Sequence, residues 1–238
     1  MSAFLYGVVL QWKLDIRSKT MLITCYLLPL MFFALMGGIF TSIMPESRHT
    51  LIQSMTIFGV TMGALIGLPP SLVEIYGSDM KKVYISNGVP LHLGVVTNFI
   101  SAFIHLLIMC TIIFVVAPIT YDATPPTNLP IYFVSLAIFI AASLSIGSVL
   151  GLVVKNISKL TMVSQIFFLP SIMLSGIMFP IHMLPSALKY VGNLFPAAWG
   201  YRLMTNERFD ISLCVPLIVI SAVSVMICGY VLSRGARR

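Results

Sequence analysis

An all-α integral membrane protein crossing the bilayer six times is the fold class that this sequence predicts, and three observations carry the prediction. The 238 residues are 58% hydrophobic and only 9% charged, with a mean hydropathy of +1.01, whereas aqueous globular domains are roughly a quarter charged. Six runs free of Asp, Glu, Lys and Arg cover about Met21 to Ile43, Leu51 to Val73, Leu93 to Val116, Ile131 to Val154, Leu160 to Phe179, and Leu213 to Leu232. Each is long enough at about 1.5 Å per residue to approach the ~30 Å hydrocarbon core. With alternating sides, ten of the 14 Lys and Arg residues fall at one end of the bundle and Arg48, Lys189, Arg202 and Arg208 at the other. The positive-inside rule then predicts both termini in the cytoplasm of a multi-pass cell-membrane protein, its whole length forming one domain.

Residues 2–19 come first. Phe4, Leu5, Val8, Val9, Trp12 and Ile16 recur at three- and four-residue steps while Gln11, Lys13, Asp15 and Arg17 fall elsewhere, so an amphipathic interfacial helix is expected on the inner surface. A signal peptide would place its basic residues before its apolar run, and here the order is reversed.

In the first span Pro29 is a kink site, as is Pro170 in the fifth. Gly59, Gly63 and Gly67 in the second span stand four apart, and Ala137, Ala141 and Ser145 repeat that interval in the fourth, a spacing that lets helices approach closely. His105 in the third span is expected to hydrogen-bond another helix, with Asn98 as a possible partner. The cysteines Cys25, Cys110, Cys214 and Cys228 lie inside spans without metal-ligand spacing and are expected as apolar packing residues.

Among the connections, residues 74–90 read EIYGSDMKKVYISNGVP. Ser78 and Asp79 suit a helix N-terminus and Lys81 and Lys82 its other end, so a short helix over Ser78 to Ile85 is expected. The Pro-rich loop Ala117 to Pro130 belongs outside. Lys155 to Lys159 is a short turn whose sequon Asn156-Ile157-Ser158 falls on the cytoplasmic side and should stay unmodified.

The chain is organised around Leu160 to Gly200. After the fifth run come Pro180, Pro185 and Pro196, an amphipathic piece from Ser186 to Leu194, and the aromatics Phe195 and Trp199. Proline breaks regular helix, so residues 180–199 read as one or two short helices lying back into the outer interface, or else as an ordinary outer loop with an aromatic belt.

Composition also excludes. No G-x-x-x-x-G-K-[ST] phosphate loop is present, so energy from nucleotide would have to come from another chain. Carriers driven by protons or sodium generally need ionisable groups inside their spans, and these six runs contain no Asp, Glu, Lys or Arg. A net charge of +7 is accounted for by membrane anchoring, without nucleic acid.

Leu174-Ser175-Gly176, Phe179-Pro180, Leu184-Pro185 and Phe195-Pro196 followed by an aromatic resemble the fifth-span and re-entrant-helix signature of type-2 ATP-binding-cassette exporter permeases. The loop at 74–90 resembles that family's coupling helix through Glu74, Gly77, Lys81 and Lys82 ahead of Tyr84, and the closing Gly88-Val89-Pro90. Where the family commonly has Thr-Leu-Glu after the glycine, this chain has Ser78-Asp79-Met80, which leaves the register open by a turn. The resemblance implies a non-catalytic subunit with no cofactor of its own, partnered by two copies of a nucleotide-binding subunit that hold ATP and Mg2+, and by a second permease, identical or similar. It implies further that spans one, two and five enclose an apolar path, faced by Met62, Phe167, Phe168, Met173 and Met178. Those five side chains could equally pack or face lipid.

Flexible and aromatic side chains in such a path suit an amphiphilic cargo. Similarity to bacterial drug and peptide exporters favours a hydrophobic drug or a peptide such as a bacteriocin or toxin. A lipid or lipid-linked polysaccharide would travel on the same fold. A non-transporting anchor, immunity or sensor protein remains open from the sequence, and an ion channel is disfavoured by the lack of a polar stripe.

Overall fold

The computed structural model describes residues 3–77, 83–84, 86–179, 181–206 and 208–236. Among them there is no strand. Five helices are long and apolar enough to cross a membrane: α2 (Lys19–Ile43), α3 (Leu51–Gly77), α4 (Leu91–Tyr121), α5 (Leu129–Val153) and α9 (Ile211–Ala236). The others are α1 (Ala3–Arg17), α6 (Ile157–Met173), α7 (Ser186–Gly192) and α8 (Pro196–Thr205). Expected and observed ends differ by at most six residues: most helices continue past their apolar stretch into polar sequence, while α5 stops one residue short and α6 six residues short. Below, the "terminal end" is the one where α2 starts and α9 finishes; the other is the distal end.

The centre is α3, almost entirely buried, while α9 is the outermost long helix and leaves most of its surface bare. Glycines set the close approaches around α3. Gly59 lies against Met109 and Pro29, Gly63 against Leu106, and Gly67 against Cys25 and Thr24, so this ladder seats α3 on α2 and α4. In α5 two tight positions are Gly147 and Gly151. A Cβ at Gly147 would run into the Ala64 carbonyl, and one at Gly151 would stand 2.7 Å from Leu72 Cβ and 2.9 Å from the Pro69 oxygen.

Two of the long helices contain a π turn, and each lies just before proline: Ile23–Leu27 ahead of Pro29, Gly63–Gly67 ahead of Pro69 and Pro70. Proline has no N–H to give the carbonyl four residues back, and a π turn re-pairs the freed groups. The first is the disturbance expected at Pro29; the second was not expected.

At 17 residues, α6 spans about 26 Å and begins at Asn156, whose side chain accepts the Lys159 N–H at 3.1 Å. The sequon asparagine is thus a helix cap. The expected fifth span ran to Phe179, but the helix stops at Met173 for a local reason. Ser175 donates its hydroxyl to the Ile172 carbonyl at 2.8 Å, and Gly176 takes φ +95°, a conformation that only glycine adopts cheaply. Gly176→Ala, whose Cβ would also stand 2.7 Å from Ile181, should cost about 1–3 kcal/mol, read as a lowered melting temperature in detergent.

Beyond that turn, α7 and α8 are short helices. Gly192 abuts the Leu174 carbonyl, and Gly200 abuts the Phe139 ring, which sets α8 into the bundle with Ala197, Ala198, Leu203 and Met204 buried. Asn193 joins the two. Its carbonyl accepts the Trp199 indole N–H at 2.7 Å and its side-chain oxygen accepts Arg202 at 2.7 Å.

The N-terminal helix corrects one expectation. Asp15, read as part of the polar face, is only 5% exposed, because α1 lies along α4 and Ser101 there donates to its carboxylate at 2.5 Å while Gln11 donates at 2.8 Å. Phe4, Leu5, Leu10, Leu14 and Ile16 are exposed instead. One turn deeper Trp12 stacks on His105, centroids 4.0 Å apart. His105 Nδ1 pairs with the Tyr26 hydroxyl at 2.7 Å rather than with Asn98, which bonds Ser71 at 2.8 Å.

Candidate functional site

Two regions bring the sequence-predicted residues together: the ends of the 74–90 connection and a cavity at the distal end. At the first, Glu74 and Gly77 close α3. Tyr76 donates its hydroxyl to the Leu91 carbonyl, so the last turn of α3 is tied to the first residue of α4 and the connection leaves and re-enters at one place. On the return side, Tyr84 and Ser86 are helical. Gly88 at φ +66° follows, and the Val89 N–H bonds the Tyr84 carbonyl at 2.9 Å, the six-to-one bond of a glycine-terminated helix. The Gly-Val-Pro triplet is thereby explained as a helix stop. Ser78, Asp79, Met80, Lys81 and Lys82, and with them most of the expected helix, lie outside the described residues.

Gly77 faces the Lys155 carbonyl, its built Cβ 3.4 Å away. The 74–90 connection and the 155–159 turn therefore share one surface at the terminal end. Beside it a cavity of about 320 Å3 is walled by α1, α2 and α3, with Gln11, Asp15, Ser18, Ser71 and Glu74 in its lining. Burial raises the Asp15 carboxyl above its ordinary 3.8, with the Ser101 and Gln11 bonds opposing the shift. The sign follows from linkage. A folded pKa above the unfolded value means that folding binds a proton, so stability is greatest below about 3.8 and falls as pH rises through the raised folded value. Asp15→Asn should flatten that dependence, measured as melting temperature against pH from 4 to 8, with the wild type losing stability over the window and the variant not.

The distal cavity is larger, about 560 Å3, and sits where the distal ends of α2 and α3 meet the segment after α6 and Tyr201 of α8. Phe40, Ile43, Met44, Leu51, Ile177 and Met178 give it an apolar wall; Glu46, Ser47, Thr50 and Ser54 supply the polar groups.

The five expected path residues are divided by the structure. Met178 lines the distal cavity. Phe168 is buried, edge-on to Phe58 at 5.7 Å, and Phe58 stacks in turn on Phe32 at 3.7 Å, so an aromatic column joins α6, α3 and α2. Met62 is partly buried against the same core. Phe167 and Met173, on another face of α6, are exposed. Sequence reading passed over Glu46, Gly147 and Gly151, took Asp15 for a polar-face residue, and named Gly176 only within a family signature. Gly147 and Gly151 could have been found from their four-residue spacing in an apolar run, whereas Glu46 and Asp15 carry no local signal.

No metal-binding group of three or more His, Cys, Asp or Glu occurs among the described residues. The chain matches the family model described as ABC-2 type transporter over residues 3–207, and no curated protein matches it. The match takes in α1 through α8, both cavities and the whole 74–90 connection. This multi-pass helical chain belongs to the ABC-2 type transporter family, a membrane transport component of the kind that normally pairs with an ABC ATPase subunit.

Proposed function

We propose that the chain is the permease subunit of an ATP-driven exporter for an amphiphilic drug or peptide. Counting α6 as a crossing gives six spans, with the terminal end and both termini in the cytoplasm and α7 and α8 dipping back from the outside. Two copies of a nucleotide-binding subunit, holding ATP and Mg2+, dock at residues 74–90, and a second permease, identical or similar, completes the assembly. Closure of the ATPase pair is passed through Ser78, Asp79, Met80, Lys81, Lys82 and Tyr84 into α3 and α4, which the Tyr76–Leu91 bond joins, and turns the path from inward- to outward-open.

The observation that carries the reading is the placement of the distal cavity. It lies between α2, α3 and the segment following α6, the three elements expected around the path, and holds Met178. Its mixture of apolar wall and hydroxyl groups suits a cargo with both kinds of surface. Co-expression with candidate nucleotide-binding subunits tests the proposal: a complex that survives purification and hydrolyses ATP faster than those subunits alone is expected. Failure of every such subunit to bind would favour an anchor or sensor role.

A further inference from the structure

We propose that the distal cavity selects the positively charged end of a cationic amphiphile, which, resting on the exporter reading above, names the cargo class. Three observations point there. First, among the described residues Glu46 is the sole charged one in the lining, and no lysine or arginine contributes. The basic side chains nearby on the described outer segments are turned elsewhere: Arg48 lies 3.8 Å from Asp122, and Arg202 binds Asn193 and covers the Trp199 ring at 5.0 Å.

Second, Ser47 and Ser54 both line this cavity; the Ser47 hydroxyl oxygen is buried with no hydrogen-bond partner among the described residues, and Ser54 is 5% exposed. A buried polar group without a partner costs free energy unless a ligand or water satisfies it. Ser47 is the residue next to Glu46, so a ligand that satisfies its hydroxyl lies beside the carboxylate. Hydroxyl oxygens and a carboxylate are acceptors for an ammonium, an amidinium or an aromatic amine. Third, the cavity at the terminal end has the buried carboxylate of Asp15 in its lining. In a chain of net charge +7, both cavities carry a carboxylate in their described lining. An anionic lipid-linked sugar would meet the Glu46 carboxylate in the distal cavity, with no lysine or arginine among the described lining residues.

Binding to the purified chain in phosphatidylcholine nanodiscs tests this, with empty discs as the blank. Ethidium is the cationic probe, Nile red the neutral one and anilinonaphthalene sulfonate the anionic one, each followed by fluorescence. The wild type should bind ethidium, and Glu46→Gln should weaken that binding roughly fivefold, as for a half-solvated charge pair, with Nile red unchanged. Glu46→Lys should abolish ethidium binding and admit the anion. Because Glu46 lies in an exposed turn, both variants should fold, checked by unchanged melting. Ethidium binding unaffected by Glu46→Gln and Glu46→Lys, or sulfonate binding as tight as ethidium in the wild type, would overturn the proposal. The two readings fail separately. Glu46-dependent binding without any ATPase complex sinks the exporter and leaves the cation site; an active ATPase complex without Glu46-dependent binding sinks the cation site and leaves the exporter.

Discussion

Gly147→Val should lower the stability of the chain by about 3 kcal/mol, the upper end of the cost of overpacking a core. At this position α5 touches α3 through backbone: a Cβ would overlap the Ala64 carbonyl, and Leu68 stands 3.5 Å away. A carbonyl inside the π turn Gly63–Gly67 cannot swing aside as a side-chain tip can. The helices must therefore separate, which loosens the Gly151 contact with Leu72 and Pro69 one turn on. Gly229→Val on α9 is the control, because nothing lies within 4 Å of its Cβ position. Melting in detergent should separate the two, with the α5 variant poorly folded and the α9 variant within about half a kcal/mol of wild type. Equal melting would mean that α5 does not approach α3 at Gly147.

Replacing Asp79, Lys81, Lys82 and Tyr84 together by alanine should reduce chain-dependent ATP hydrolysis at least about tenfold, a loss of about 1.4 kcal/mol or more of coupling. The melting temperature should hardly move. The connection is held at its roots by the Tyr76–Leu91 bond and by the backbone turn at Gly88, and neither uses the replaced side chains. Binding and hydrolysis are read on the same preparation, so loss of assembly is distinguished from loss of coupling. A variant that assembles and hydrolyses like wild type would remove residues 74–90 from the interface with the ATPase.

Sequence alone reached the helical class, the long apolar segments and the family, because those depend on local composition. A run such as Ile131 to Val154 has no charge to hide and no alternative to helix in lipid. Cap chemistry was partly legible: Gly88 announces a helix stop, yet Gly176 ends α6 six residues before the apolar run does, since only the Ser175–Ile172 bond decides which residue turns. Contacts across the chain were out of reach. Asp15 looked solvated because its partner Ser101 lies 86 residues away, and His105 found Tyr26 at a separation of 79 rather than its neighbour Asn98. The distal cavity likewise joins Glu46 and Ser54 to Met178 and Tyr201, positions with no shared pattern. In α6, Phe167 and Phe168 are adjacent in sequence and about 100° apart on a helix, so one is exposed at the surface while the other packs on Phe58. For the coupling surface, the family likeness of residues 78–82 and the observed roots of the loop are what support the assignment.

The decisive measurement is ATP-dependent accumulation of ethidium in inside-out vesicles carrying the chain together with its nucleotide-binding subunit. Accumulation that needs ATP, both chains and an intact 74–90 connection is the result expected of an exporter permease. Vesicles that hydrolyse ATP and accumulate neither this cation nor any neutral or anionic amphiphile, or that accumulate it without the ATPase subunit, would contradict that function.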